Sequence, residues 1–279
     1  MYIFGIDFTS APARRKPITG ALCILHDDRL TLLECLSLPA FEAFETFLHR
    51  PGPWCAAFDF PFGLPRPLLA NLGWPQRWED YMQHVAALGK ASFEESIIRY
   101  CADQPPGQKH LLRATDALAK SRSPMMLHRV PVGKMFFQGA TRLLRSNVSI
   151  LPCRPNHDSR IALEGYPALV ARRWLGSRSY KSDERARQTE EQLAARRVLV
   201  QALRSPDLFA DYGLHLTLPD MLAESLIADP MADRLDALLC AIQAAWACTR
   251  RANGYGIPHD CDGDEGWIVD PVLFSQKEL

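Results

Sequence analysis

The run Tyr2-Ile3-Phe4-Gly5-Ile6-Asp7-Phe8 constrains this 279-residue chain more than any other stretch. It is apolar at successive positions and rich in isoleucine and aromatic residues, so it reads as a strand buried on both faces of a sheet. Its one acid, Asp7, stands at the carboxyl end. Residues Ile18–His26 and 30–36 repeat the strand signal with Asp27-Asp28 between them as a tight turn, which predicts a three-stranded antiparallel meander. Pro39 then opens a helix through His49, with Phe41, Phe44, Phe47 and Leu48 on one face, and Pro51-Gly52-Pro53 stops it. Residues 54–60 are the next strand. With the usual right-handed crossover, this fourth strand lies parallel to the first and beside it, so Asp7 and Asp59 end neighbouring strands at one edge. In open α/β sheets that carboxyl edge is where ligands bind.

From residue 61 to about 155 the pattern changes. Prolines are frequent, helical patches cover 74–88, 92–101, 111–120 and 133–145, and no strand alternation stands out, which predicts a mostly helical insertion. Residues 161–164 read as a short last strand and 166–175 as a short helix. Residues 182–203 read as one long helix, because Asp183, Glu184, Arg185, Arg187, Glu190, Glu191, Arg196 and Arg197 alternate in sign as on a solvated face. Asp229-Pro230 is expected to cap and start the final helix, which runs to about residue 252 with Leu235, Leu238, Leu239, Ile242 and Trp246 as its buried stripe. The expected organisation is a core split into residues 1–62 and 158–279 around an insertion at 63–157.

Lysine plus arginine equals aspartate plus glutamate at 32 each, so no global basic field advertises a polyanionic partner, and any nucleic-acid surface must be local. The eight cysteines form no C-x-x-C pair and several sit in apolar runs, which points to reduced thiols and a cytoplasmic location. No basic leader with an apolar stretch precedes the first strand, so no signal peptide is expected. No apolar run approaches the roughly 18 residues of a membrane helix, so no membrane partner is expected either.

Several elements present acids that could converge. Asp7 ends the first strand, Asp59 the fourth and Glu164 the last, while Asp233 and Asp236 are three residues apart and share one face near the start of the final helix. A lone acid at a strand end is usually a turn former or a cap, and Asp233 alone could face solvent. Asp236 resists that explanation, because Leu235, Ala237, Leu238, Leu239, Cys240 and Ala241 surround it in sequence, and a buried acid needs a partner or a metal. Asp59, between Ala56-Ala57-Phe58 and Phe60-Pro61-Phe62, is equally remote from solvent. Gathered carboxylates repel one another unless a cation lies among them, and hard oxygen donors suit Mg2+ or Mn2+. Two such ions roughly 3.5–4 Å apart would activate a water and stabilise the leaving oxygen of a phosphodiester, with no protein nucleophile.

These acids lie in stretches that resemble the family catalogued as domain of unknown function 429, described as predicted nucleases of the ribonuclease H-like superfamily. The matching stretches are Gly5-Ile6-Asp7-Phe8-Thr9-Ser10-Ala11-Pro12, Phe58-Asp59-Phe60-Pro61-Phe62-Gly63-Leu64-Pro65, Glu164-Gly165-Tyr166-Pro167 and Asp236-Ala237-Leu238-Leu239-Cys240-Ala241, and together they span nearly the whole chain. The resemblance implies an α/β fold with a ribonuclease H-like mixed sheet, three antiparallel strands then parallel strands, carrying a helical insertion. It implies a metal-dependent phosphodiester hydrolase, a nuclease using Mg2+ or Mn2+ on DNA or RNA. The catalytic set is then Asp7, Asp59, Glu164 and Asp236, with Asp7, Asp59, Asp233 and Asp236 toward the metal. The Asp233 and Asp236 pair also resembles the acidic pair on the last helix of Holliday-junction resolvases in the same superfamily. The common arrangement adds a glutamate on the helix after the third strand. Here Glu42 and Glu45 are the only candidates there, and Glu164 is the residue that could replace that ligand.

The densest basic stretch of the insertion runs from Ser121 to Lys134, with His128 and Arg129, and is followed by Met135-Phe136-Phe137. Read functionally, His128, Arg129 and Lys134 form a phosphate-contacting lip over the carboxylate edge; read plainly, they belong to a surface loop entering a buried helix. Arg113 and Lys181 are weaker candidates of the same kind. Thr9 and Ser10 could offer hydroxyls to a phosphate, as in actin-like ATPases of this superfamily, but no second glycine-rich phosphate loop follows Asp59. A non-catalytic binding module with its acids as caps is the remaining alternative. Residues 259–265 alternate acids without the glycine and glutamate positions of a calcium-binding EF-hand, and read as a polar loop. No G-x-S-x-G elbow and no zinc-spaced His and Cys group is present.

Overall fold

The computed structural model describes residues 1–275. Its strands β1 (Tyr2–Asp7), β2 (Ile18–His26), β3 (Arg29–Leu38), β4 (Trp54–Phe58), β5 (Ser149–Ile150), β6 (Arg160–Glu164) and β7 (His215–Thr217) form one mixed sheet in the order β5-β6-β4-β1-β2-β3-β7. The first three strands are antiparallel neighbours, as the meander pattern predicts. β4 runs parallel to β1, β6 to β4, β5 to β6 and β7 to β3.

Both faces of this sheet are covered. One face meets α1 (Phe41–Leu48), α2 (Arg66–Asn71), α3 (Trp78–Ala102) and α5 (Val132–Arg145), with the short α4 (Ala114–Ala119) between the last two in the chain. Phe44, Phe47 and Leu48 of α1 pack there against Phe4, Ile6 and Phe58, as expected from the helical stripe. The other face meets α6 (Pro167–Leu175), α7 (Glu190–Leu203), α8 (Pro206–Tyr212), α9 (Asp220–Ala228) and α10 (Asp233–Thr249); α11 (Pro271–Ser275) closes against α4. No helix among the described residues is long and apolar enough to cross a membrane. All eight cysteines are free thiols.

The pleat of β1 sends Phe4 and Ile6 to the α1 face and Ile3, Gly5 and Asp7 to the α10 face. Gly5 decides how near α10 can come. A Cβ at this position would stand 1.9 Å from the carbonyl oxygen of Ala237 and 2.1 Å from the amide nitrogen of Ala241, so the helix backbone rests directly on the strand backbone. Apart from Asp236 and Gln243, the residues of α10 from Leu235 to Cys248 are small or apolar, and all of them are buried.

The structure differs from the sequence expectations in identifiable ways. The ladder of β4 ends at Phe58 rather than residue 60, although the amide of Asp59 still donates to the Ile6 carbonyl at 2.9 Å. Residues 182–203 are not one helix: a 3-10 turn at Arg185–Arg187 precedes α7, whose true start is a capping box in which Thr189 accepts from the Gln192 amide at 3.3 Å. The final helix begins at Asp233, not at Asp229-Pro230, because Asp229 accepts from the Met231 amide at 3.1 Å and forms its own turn. The insertion also contains β5, two residues long and too short to show alternation, and the patches at 74–88 and 92–101 join as α3 around a break at Gly89.

Because backbone atoms, not flexible side chains, fill the space over Gly5, Gly5→Ala is expected to destabilise the fold by at least about 3 kcal/mol. Urea unfolding measures this. A wild-type midpoint in that variant would mean that α10 does not sit on β1 in this way.

Candidate functional site

Three elements bring four carboxylates to one sheet edge. The parallel register sets Ile6 opposite Phe58, so Asp7 and Asp59 follow side by side beyond it, and the Asp59 amide bond to Ile6 holds the second in place. The close seat of α10 on Gly5 brings its first turn, with Asp233 and the fully buried Asp236, over the same edge. Acids in a helix's first turn face the partial positive charge of its unpaired amides, which favours them there.

The fourth contributor is the segment between α6 and α7. The Tyr180 hydroxyl donates to Asp236 Oδ1 at 2.6 Å, and the Lys181 ammonium pairs with Asp236 Oδ2. Arg196, itself buried, fixes this segment by donating to the Tyr180 carbonyl at 2.8 Å and the Ile227 carbonyl at 2.7 Å.

The charges are unevenly matched. Burial foremost, then the charge of Asp236 and more weakly those of Asp59 and Asp233, push the Asp7 carboxyl well above the usual range against the opposing pull of Lys181. Burial likewise pushes Asp59 up to about 7, opposed by Lys181 and assisted by Asp236 and Glu164. Asp233 is raised to about 6, again chiefly by burial. Burial works against the Lys181 charge, but Asp236, Tyr180 and Asp7 outweigh it and hold the ammonium protonated.

Glu164 stands in a different network. Both its oxygens are taken by Arg113, at 2.8 Å to Oε2 and 2.6 Å to Oε1, and the Phe62 amide adds a bond at 2.9 Å. Arg113 is buried and also grips Asp116 with Nε and Nη2, each at 2.8 Å. Burial still raises the Glu164 carboxyl against the pull of Arg113, but both its oxygens are hydrogen-bonded, so Glu164 neighbours Asp59 without sharing its lack of partners.

The remaining expected residues divide. Thr9, Ser10 and Arg129 line a cavity of about 410 Å3 that also exposes Asp7, Asp59 and Lys181. An adjoining cavity of about 200 Å3 shares Asp59, Val130, Met135 and Lys181 with it, and is walled by Val132 and Tyr166. Lys134 instead faces Glu94 of α3 at 3.9 Å, and His128 is exposed outside both linings. Glu42 and Glu45 stand on α1, across the sheet from α10; Glu45 pairs with Arg142 at 3.0 Å. In the loop at 259–265, Asp262 and Asp264 hold Arg66, as a polar loop would.

Asp7 and Asp59 have the donor chemistry of a hard-cation site: what acts on them is burial and neighbouring charge, with no hydrogen bond to either carboxylate among the described residues. As the side chains stand, no three His, Cys, Asp or Glu residues among the described ones close around a point to hold a metal. The cation seated among these acids is the Lys181 ammonium, which stands in for part of the charge that such a donor set attracts.

Fold and site thus define an α/β protein with a seven-stranded mixed sheet and a cluster of uncompensated acids at the ends of its two central parallel strands. The chain belongs to the family described as Protein of unknown function (DUF429), whose model matches residues 5–260. No curated protein and no solved structure matches it.

Lys181 is the member of this cluster that sequence patterning ranked too low. Its partner is 55 positions away, and nothing local in Ser179-Tyr180-Lys181-Ser182 reports that distance.

Raised carboxyl groups bind protons more tightly in the folded than in the unfolded chain, so they cost stability as pH rises from about 4 through about 7. In metal-free buffer, Asp59→Asn is therefore expected to flatten the loss of stability between pH 5 and 8, read as a midpoint against pH; an unchanged slope would show that Asp59 is not buried among like charges. Arg113→Met leaves Asp116 and Glu164 buried without their partner and is expected to cost about 3–5 kcal/mol in chemical unfolding.

Proposed function

We propose that this chain is a divalent-metal-dependent phosphodiester hydrolase with a ribonuclease H-like core, acting on nucleic acid. The observation that carries the reading is the pair Asp7 and Asp59: adjacent strand-end carboxylates, raised by burial, without hydrogen bonds among the described residues and facing a solvent-open cavity. The order β3-β2-β1-β4-β6, three antiparallel strands followed by parallel ones, supports the ribonuclease H-like assignment.

In this reading Asp7 and Asp59 hold Mg2+ or Mn2+. The bound ion supplies Lewis-acid activation of a water and neutralises charge at the phosphate. Asp236 keeps Lys181 and Tyr180 at the edge of the cavity, and Asp233 adds negative charge on the same side. Arg129 meets substrate phosphates, with Thr9 and Ser10 as hydroxyl donors. Val130, Val132, Met135 and Tyr166 give a base or sugar an apolar wall that excludes water. Glu164 falls outside the ligand set, because Arg113 occupies both of its oxygens.

The test is cleavage of end-labelled single-stranded and duplex DNA and RNA with Mg2+, Mn2+ or chelator. An ion of this kind is worth several kcal/mol at the transition state, so chelation or Asp7→Asn is expected to slow cleavage by about 100-fold or more. Cleavage that survives both would remove the site from this edge.

A further inference from the structure

Lys181 is not a loose surface lysine. The backbone on one side of it is tied by Arg196 to Tyr180, and on the other by the Ser182 amide to the Pro230 carbonyl at 3.1 Å. Its side chain remains 41% exposed, toward the cavity that holds Asp7 and Asp59, while its ammonium binds an acid with no exposure at all. Asp236 is thereby committed twice, one oxygen to the Tyr180 hydroxyl and the other to Lys181.

This arrangement bears on how many ions the proposed site can hold. Two-metal hydrolases place their ions roughly 3.5–4 Å apart, which needs a donor set wide enough to reach both. Here Asp7, Asp59 and Asp236 face the Lys181 charge, while Asp233 answers first to Lys16, itself paired with Asp183, and then to Lys181. An ion arriving at Asp7 and Asp59 meets free carboxylates. An ion arriving at Asp236 meets an ammonium already in place, which repels it and cannot coordinate it.

We propose that the Lys181 ammonium, held on Asp236, permanently fills one of the two cation positions of this edge, so that the chain takes up a single divalent ion through Asp7 and Asp59. The inference rests on the metal-dependent reading and deepens it. Lys181 acts here as a tethered cation, and its charge, not its shape, does the work.

The experiment titrates Mn2+ into the metal-free full chain and counts bound ions from the electron paramagnetic resonance signal of the free ion, independently of any cleavage. Wild type is expected to bind one Mn2+ per chain, Lys181→Met two, and Lys181→Arg one, while Asp59→Asn loses the wild-type ion and so separates it from ions bound elsewhere. Lys181→Gln, which keeps a hydrogen-bond donor for Asp236, repeats the neutral test should the methionine variant not retain the wild-type circular dichroism spectrum. Two ions in wild type, or one in the neutral variants, overturns the tethered-cation proposal and leaves the metal reading standing. No ion in wild type and none in the neutral variants overturns the metal reading itself, and an ion that appears only when Lys181 is neutralised overturns the single-ion claim.

Discussion

Helix α10 lies on β1 with no side chain between them, because position 5 has none and positions 237 and 241 bring only alanine. A second glycine makes room for side chains of the same helix: a Cβ at Gly165, just past β6, would stand 3.2 Å from the Cys240 sulfur, the Gln243 side-chain oxygen and the Ala57 methyl. The helix is therefore seated against the sheet at two places along its length. Side-chain packing alone holds helices some 8–10 Å from their neighbours. Removing that spacer at Gly5 is what lets an acid in the first turn of α10 reach the end of β1, so backbone contact and site geometry are a single constraint.

That constraint has an electrostatic cost, which the rest of the fold meets unequally. Around Glu164 every carboxylate oxygen has a hydrogen-bond partner: Arg113 spends its donors on Asp116, Glu164 and the Glu265 carbonyl, and the network ties the insertion to β6 and to the C-terminal loop. A few residues away, Asp7 and Asp59 are raised by burial and by their acidic neighbours, with only Lys181 in opposition. Selection for stability alone favours partners or neutral side chains at such positions. The contrast between a closed network and an open one, built from the same residue types at one sheet edge, is the physical ground on which the proposed reading centres on Asp7 and Asp59 and leaves Glu164 out of the ligand set.

What could be read from the sequence follows the range of the interactions involved. β1 to β4, α1 and the pairing of Asp7 with Asp59 were legible, because strand alternation, a phenylalanine stripe and a right-handed crossover are local or topological signals. Asp236 was legible through the apolar residues around it. The exact start of α10 was not, since Asp229-Pro230 carries a stronger cap signature than Ala232, the residue that actually precedes the helix with a left-handed backbone. The charge run at 182–187 mimicked a solvated helix face, and so masked a segment that crosses the sheet edge and carries Lys181. Lys134 looked like a phosphate contact only until α3 placed Glu94 opposite it. The last of these concerns a pairing between distant positions; the other two turn on local contacts at Asp229 and Thr189 that stronger proline and charge signals obscured.

The insertion then takes on a role that its composition did not suggest. Its helices share the apolar cluster beneath β1 and β4, with Phe93 and Phe136 packed 5.7 Å apart, so it is part of the core as well as an addition to it. Its chain emerges from that core at residues 129–135 and supplies Arg129, Val130 and Met135 to the walls over Asp59. The acids belong to the sheet and α10, the tethered lysine to the segment before α7, and the wall to the insertion. In the proposed reading these parts are separable in kind: the sheet edge sets the chemistry, while the cavity walls choose what reaches it. A chain with zero net charge has no net monopole to gather a polyanion, so under the proposed reading selectivity rests on this wall and on the few cations that line it.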